Sequence, residues 1–315
     1  MKAEAYPNIS VVICTRDRGS DVARTVTSVL QNGYPAYEVL VIDQSRDDST
    51  ARCLDAFRHD GRFRYLHSQE VGLSRGRNLG VSESRGEIIA FTDDDCEVTT
   101  NWLQKLVEAF HVDNRLGLVF GNVLAGPYDS AKGFIPAYVR NIPFMARSIW
   151  QKHQVEGIGA CMGIRRCVLD DLGGFDQILG IGAPLMTGEE SDLTIRILLA
   201  GYFVYESPDI MLVHYGFRTW EDGNATIKNY WFGTGAMFAK HLKCGHLSII
   251  YNLTYLAYRW IFGRSRVASS SGIRACRLIR LASFVRGFVI GFLTPVNRVT
   301  NHFLSQDDKT ANKIP

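Results

Sequence analysis

Between residues 9 and 124 the chain alternates short apolar runs with helix-period segments. That alternation restricts it to an α/β fold with a mostly parallel sheet. Ile9 to Cys14 reads as the first strand, and a helix over about 20–32 places Val22, Val26, Val29 and Leu30 on one face. A second strand, Tyr37 to Asp43, precedes a helix near 48–58, and Phe63 to His67 gives a third. A helix at 73–84 leads to the strand Glu87 to Thr92. A helix at 99–110, with Trp102, Leu103, Leu106, Val107 and Phe110, and a strand at 117–124 complete the series. Runs this short, bounded by turn residues, are buried strands and not membrane segments. With 315 residues, 46% hydrophobic and 21% charged, the chain can bury a large core.

The remainder is less regular. Residues 125–154 are rich in Gly, Pro and aromatics and read as an irregular segment. A strand at 155–160, a helix at 188–200 and strands at 203–206 and 210–214 follow. Residues 225–295 read as helical, with Arg among apolar and aromatic side chains. The expected organisation is an α/β domain over 1–220, a helical region over 221–300 and a polar tail over 301–315. A formal net charge of +3 is too slight to argue for a nucleic-acid partner. Seven scattered cysteines with no zinc spacing read as free thiols in a reducing compartment. With no signal-peptide core near the start and no run of about 20 apolar residues, the expected location is cytoplasmic.

Strand ends carry the chemistry. Open α/β sheets bind ligands beyond the carboxyl ends of their strands, and three acids, Asp93, Asp94 and Asp95, sit at such an end. They suit a divalent cation carrying a diphosphate, or, more plainly, a solvated turn capping the next helix. The first strand runs into Cys14-Thr15-Arg16-Asp17-Arg18, where Arg16 could stack on a base. The second ends on Asp43, which could accept a pyrimidine imide N–H, while Asp48 and Ser49 could simply cap a helix. Residues 70–80 place Arg75, Arg77 and Asn78 at a helix start, suited to phosphate or to a solvated face. Thr187 and Glu190 have capping-box spacing, and Asp192 and Arg196 have ion-pair spacing. Yet Glu189, Glu190 and Asp192 in one turn exceed what a cap needs, and a general base must be ionised. His214 ends an apolar run beside these acids, as a metal ligand or a structural histidine.

Taken together, these segments resemble family-2 glycosyltransferases of the GT-A, nucleotide-sugar-binding type. The resemblance covers about residues 8–216. It rests on Cys-Thr-Arg-Asp-Arg, Val-Ile-Asp-Gln-Ser-Arg-Asp-Asp-Ser-Thr, Leu-Ser-Arg-Gly-Arg-Asn-Leu-Gly, Phe-Thr-Asp-Asp-Asp-Cys-Glu, Gly173-Gly174-Phe175-Asp176 and Gly188-Glu189-Glu190-Ser191-Asp192-Leu193, in that order. It implies a GT-A domain with a C-terminal helical extension, and an inverting, metal-dependent transfer of sugar to a glycan or lipid-linked acceptor, as in polysaccharide biosynthesis. By the same resemblance Cys14, Thr15, Arg16, Asp43, Arg77, Asp93 and Asp94 bind the donor. Asp93 and Asp95 form the DxD pair, and with His214 they hold Mn2+ or Mg2+. Gly174, Asp176, Glu189 and Asp192 border the acceptor, as does the loop Gly157 to Ala160. Inverting members usually have Glu-Asp where this chain has Glu189-Glu190. Glu190 is thus the expected base, with Glu189 or Asp192 as alternatives.

Two rival readings remain at this level: a nucleotidyltransferase, which lacks its Gly-rich basic loop after the first strand, and an inactive nucleotide-sugar-binding or membrane scaffold. The arginine-bearing apolar segments beyond residue 249 suit peripheral contact with the inner face of a membrane. They equally suit a helical cap on the catalytic domain.

Overall fold

The computed structural model describes residues 6–262 and 277–304. The α/β half runs β1 (Ile9–Thr15), α1 (Gly19–Leu30), β2 (Tyr37–Asp43), α2 (Ser49–Leu54), β3 (Phe63–His67), α3 (Leu73–Glu83) and β4 (Ile88–Asp93). It continues with β5 (Cys96–Val98), α4 (Trp102–Phe110), β6 (Leu116–Ala125), β7 (Gly133–Phe134) and β8 (Phe144–Ala146). Then come β9 (Met162–Arg165), α5 (Arg166–Leu172), α6 (Glu189–Leu199) and β10 (Phe203–His214). After β11 (Arg218–Thr219) the chain is mainly helical: α7 (Trp220–Lys243), α8 (Ile249–Phe262) and α9 (Arg277–Leu293). A hairpin of β12 (Val296–Asn297) and β13 (His302–Phe303) follows.

The central sheet has the order β3-β2-β1-β4-β9-β6-β10-β5, with β8 also paired to β10. β1 to β4 are mutually parallel, and β6 is parallel to β10. β9 runs antiparallel to both β4 and β6, so those two strands still point the same way. The carboxyl ends of β1, β2, β4, β6 and β10 therefore share one edge. Side chains alternate across each strand and fill both faces. Val11, Ile13, Val39, Val41 and Ala90 meet α1 and α4, while Val12, Ile42, Ile89 and Phe91 meet the layer containing α6. Trp102, Leu103, Leu106 and Phe110 of α4 repeat at helical spacing and are all fully buried.

Several expectations shift. The strand read at 155–160 begins instead at Met162, preceded by a tight turn over Gly159–Cys161. The two strands near 203–206 and 210–214 are one, interrupted by an irregularity between Glu206 and Met211. The helix expected from 99 starts at Trp102, because Cys96 to Val98 pair with β10 as β5. The capping box at Thr187 does not form. Gly188, at φ +104°, is the N-cap of α6, and the Thr187 hydroxyl donates to the Asn229 carbonyl of α7. Nor does Asp48 cap α2; Asp47 Oδ1 accepts the Ser49 amide at 2.9 Å. His302 and Phe303, assigned to the polar tail, form β13. Of the seven cysteines, the six in the described residues are free; Cys276 lies outside them.

Candidate active site

The turn after β4 assembles one half of the site. Asp93 closes the strand, Asp94 and Asp95 make the turn, and β5 doubles back along β10 so that Cys96 lies opposite His214. The Tyr215 amide donates to the Asp95 carbonyl at 2.8 Å, which locks Asp95 beside His214. The Asp94 carboxylate accepts from Thr15 Oγ1 at 2.8 Å and from Arg18 Nη1 at 2.7 Å. The same Arg18 nitrogen reaches Asp95 Oδ2 at 2.9 Å. Burial pushes the Asp94 carboxyl up to about 6, with Arg18 pulling against it. Asp94 thus braces the loop after β1, and its carboxylate points away from open space.

Asp95 and His214 are the groups that fit a cation. His214 Nδ1 lies 2.8 Å from the Pro136 carbonyl, a contact that requires the proton on Nδ1 and leaves the Nε2 lone pair free. Nε2 stands 3.0 Å from Asp95 Oδ1, and that buried oxygen has no hydrogen bond of acceptable geometry. Two lone pairs facing each other without a proton repel, so the pair needs either imidazolium or a metal ion between them. Burial disfavours the charged ring, but Asp95, the Pro136 carbonyl and Asp93 outweigh it and raise the histidine above its ordinary value. Gly216 keeps the space open: a Cβ there would stand 2.5 Å from Asp95 Oδ2 and 2.6 Å from His214 Nε2. Cys96 belongs to the same cluster, whose ligand atoms lie within 4.8 Å of one another. Burial, reinforced by Asp93 and Asp95, holds its thiol protonated, which leaves an oxygen and a nitrogen donor for a hard divalent ion. Asp93 is outside that cluster and faces Arg77 at 3.8 Å.

Arg77 joins this half to the other. Its guanidinium is buried, about 5–6 Å from the ring centres of Phe91 and Phe175. Nη1 is 3.2 Å from Glu190 Oε1 and 3.5 Å from Glu189 Oε1, while Nη2 faces Asp93. Arg77, expected at the donor, spans the acid turn and α6. Gly159 abuts the same pair, since a Cβ there would collide with the Glu190 carboxylate and Arg77. Of the tandem acids, the Glu190 side chain is 26% exposed and that of Glu189 only 4%. Burial and the neighbouring Glu190 push the Glu189 carboxyl up to about 8, which favours its neutral form at pH 7.

The other expected residues have partners of their own. Asp43 is fully buried and accepts from the Tyr65 hydroxyl at 2.8 Å and the Ser45 amide at 2.9 Å. Arg16 is half-exposed near Asp17, and burial pushes the Cys14 thiol up to about 12. Gly174, at φ +72°, abuts Asn78, which pins the loop through the Phe175 amide and carbonyl, each at 2.8 Å.

Asp176 and Asp192, expected beside an acceptor, instead form a dry ionic cluster with α7. Lys240 Nζ bridges Asp176 Oδ2 at 2.7 Å and Asp192 Oδ1 at 2.5 Å. His241 Nε2 donates to Asp192 at 2.8 Å, and Arg196 meets it at 2.9 Å, the ion pair expected from their spacing. Phe303 of β13 donates its amide to Asp176. Both acids are fully buried. Arg18, Gly216, Pro136, Lys240 and His241 are the residues that reading the sequence missed. Arg18 alone had a visible signal, being two positions from Arg16 in the same loop.

Residues 10–173, just over half of the chain, match the model of the glycosyl transferase family 2. A glycosyltransferase, AglE, of Haloferax volcanii is 26% identical over 66% of this chain and 67% of its own length. A second, GlyG of Streptococcus pneumoniae, is 28% identical over 45% of this chain and 46% of its own length, so the chain spans about half of that relative. In fold, the chain is similar to a mannosyltransferase, PcManGT, of Pyrobaculum calidifontis solved with GDP-Man and Mn2+. The TM-score is 0.57 at 18% identity, over 92% of this chain and 87% of the other. That likeness and a matching one to S. aureus TarS (TM-score 0.57, 11% identity, 91% and 90% coverage) establish the GT-A architecture. With the acidic strand edge and these matches in hand, the chain belongs to glycosyltransferase family 2.

Proposed function

We propose that this enzyme transfers a sugar from a nucleotide-diphosphate sugar to a hydroxyl of a glycan or lipid-linked glycan, with inversion at the anomeric carbon. The observation that carries the reading is Arg77. One buried guanidinium has the half-open Glu190 on one side and the acid turn, through Asp93, on the other. A base and a diphosphate-binding edge held on opposite sides of one group suit in-line displacement.

In this reading the donor lies across the carboxyl ends of β1, β2 and β4, with its base toward Asp43 and Arg16. Asp95 and His214 would hold a divalent ion, Mn2+ or Mg2+, as supported by the orphaned Asp95 oxygen and the Gly216 gap. When bound, such an ion offsets charge on a departing diphosphate. Glu190 accepts the proton of the acceptor hydroxyl while that oxygen bonds to the anomeric carbon, and the bond from that carbon to the diphosphate oxygen breaks. Arg77 fixes the Glu190 carboxylate, and neutral Glu189 avoids a second charge beside it. The Mn2+ and GDP-Man of the Pyrobaculum mannosyltransferase support donor class and metal. A glucosyl-dolichyl phosphate glucuronosyltransferase of Haloferax volcanii, 24% identical over 60% of this chain and 63% of its own length, supports a lipid-linked acceptor.

Glu190→Gln tests the assignment. Transfer should fall about 10²–10⁴-fold, while nucleotide-sugar binding, followed by thermal shift with Mn2+, stays within twofold or so of wild type. Normal turnover by this variant would remove Glu190 from the mechanism.

A further inference from the structure

We propose that the outward face of α9 is a docking surface for an anionic lipid bilayer. The helix is apolar on both sides. Inward, Gly287 and Gly291 lie against the backbone of Phe232 and Ala236 in α7, closer than any Cβ would allow. Phe284 and Phe288 fill the flanks against Phe238 and their own neighbours. Outward, Leu278, Leu281, Val285, Val289, Phe292 and Leu293 recur at spacings of three and four and are all exposed, Leu278 and Leu293 at 74%. A helix that rests on a protein core and faces water normally turns polar residues outward. A contiguous apolar row is instead a contact surface.

Charge identifies the occupant. From Asp222 to Asp307 the sequence contains no Asp or Glu, against eleven Lys and Arg. Arg277 and Arg286 are exposed on α9 itself, and Arg298 just beyond it. Basic residues are drawn to an anionic leaflet, and apolar side chains between them enter the acyl boundary. A second copy docked through the same face would oppose like charges. Among the described residues no helix is long and apolar enough to cross a membrane. At 17 residues, about 25 Å, α9 matches a helix lying in the plane of the surface. The inference rests on the proposed glycosyl transfer only for its purpose, which is to bring Glu190 to an acceptor presented at a membrane.

Flotation of the full chain tests it, using phosphatidylcholine vesicles with and without phosphatidylglycerol. Wild type should float with the anionic vesicles, and less at high salt or with phosphatidylcholine alone. Val285→Glu with Val289→Glu should lower the floated fraction roughly tenfold or more, whereas Ile142→Glu, at an exposed loop position off this face, should not. Arg277→Glu with Arg286→Glu, which leaves the apolar row intact, should abolish the preference for anionic lipid and serves if the valine variant melts early. Wild type left at the bottom of the gradient, or floating as well after both pairs of changes, overturns the proposal. So does a vesicle-free dimer of wild type that the valine variant dissolves, since the face would then bind a second copy. Thermal stabilisation by nucleotide-sugars with Mn2+, measured without vesicles, reports separately on the donor site. Its failure would remove the enzymatic reading and leave the flotation result standing.

Discussion

Two clusters of charge centred two residues apart on α6 behave in opposite ways. Around Asp192 every carboxylate is matched: Lys240, Arg196 and His241 surround it in a site closed to water. They hold its carboxyl well below the usual range despite burial, which works the other way. Two residues earlier Glu190 keeps an open flank, and across Arg77 the Asp95 oxygen lacks a hydrogen bond altogether. Buried ion pairs that are complete contribute to architecture, and removing one member is costly. Acids left incomplete at a strand edge await a proton, a cation or a substrate.

Beyond the loss expected of Glu190→Gln, the largest effect should come from breaking the closed cluster. Lys240→Met leaves Asp176 and Asp192 short of a cation and should cost about 3–5 kcal/mol, read by urea unfolding; a loss under about 1 kcal/mol would mean that the cluster is not tightly coupled. Acid should attack the same place. Burial depresses His241 to about 4, and His302 beside the cluster likewise to about 4. Both are neutral when folded, whereas the unfolded chain takes up protons near pH 6.5. Stability is therefore complete above about pH 6.5 and declines as pH falls toward 4, by up to about 3 kcal/mol for a fully buried ring. A melting temperature flat across that window would contradict the neutral assignment.

The open site gives smaller, more selective effects. Gly216→Ala should weaken Mn2+ binding about 10–100-fold by titration calorimetry, with little change in melting temperature, because its Cβ intrudes between Asp95 and His214. Unchanged affinity would place the ion elsewhere. Glu189→Gln should be the mildest change, within about threefold in turnover, since Glu189 already carries its proton at pH 7. A fall as large as that of Glu190→Gln would exchange the roles of the two acids.

The legibility of these regions in the sequence differs for the same physical reason. β1, β2, β4 and β6 are buried on both faces and announce themselves as apolar runs, and the acids just beyond them mark the ligand-binding edge. β5 is three residues long and exists only because β10 pairs with it, so no local pattern revealed it. Arg77 reads as a phosphate ligand by position at a helix start, yet the rings of Phe91 and Phe175 and the acids of α6 capture it from distant parts of the chain. Asp176 and Asp192 lie in motif segments near Glu190, and only the arrival of α7 turns them inward. The orientation of the His214 ring toward Asp95 depends on a proline carbonyl 78 positions away.

Lys240 and His241 have a consequence for where this molecule can be cut. The segment matched by the family model stops at residue 173, before Glu190, and the recognisable motifs all end by His214. The cation that bridges Asp176 and Asp192, however, comes from residue 240, the neutral ring that donates to Asp192 from residue 241, and the amide that completes Asp176 from residue 303. A fragment trimmed to the signature regions would retain its chemistry on paper while leaving Asp176 without its cation and Asp192 with Arg196 alone. Electroneutrality and this last hydrogen bond therefore tie the motif-bearing region to residues as far along as 303.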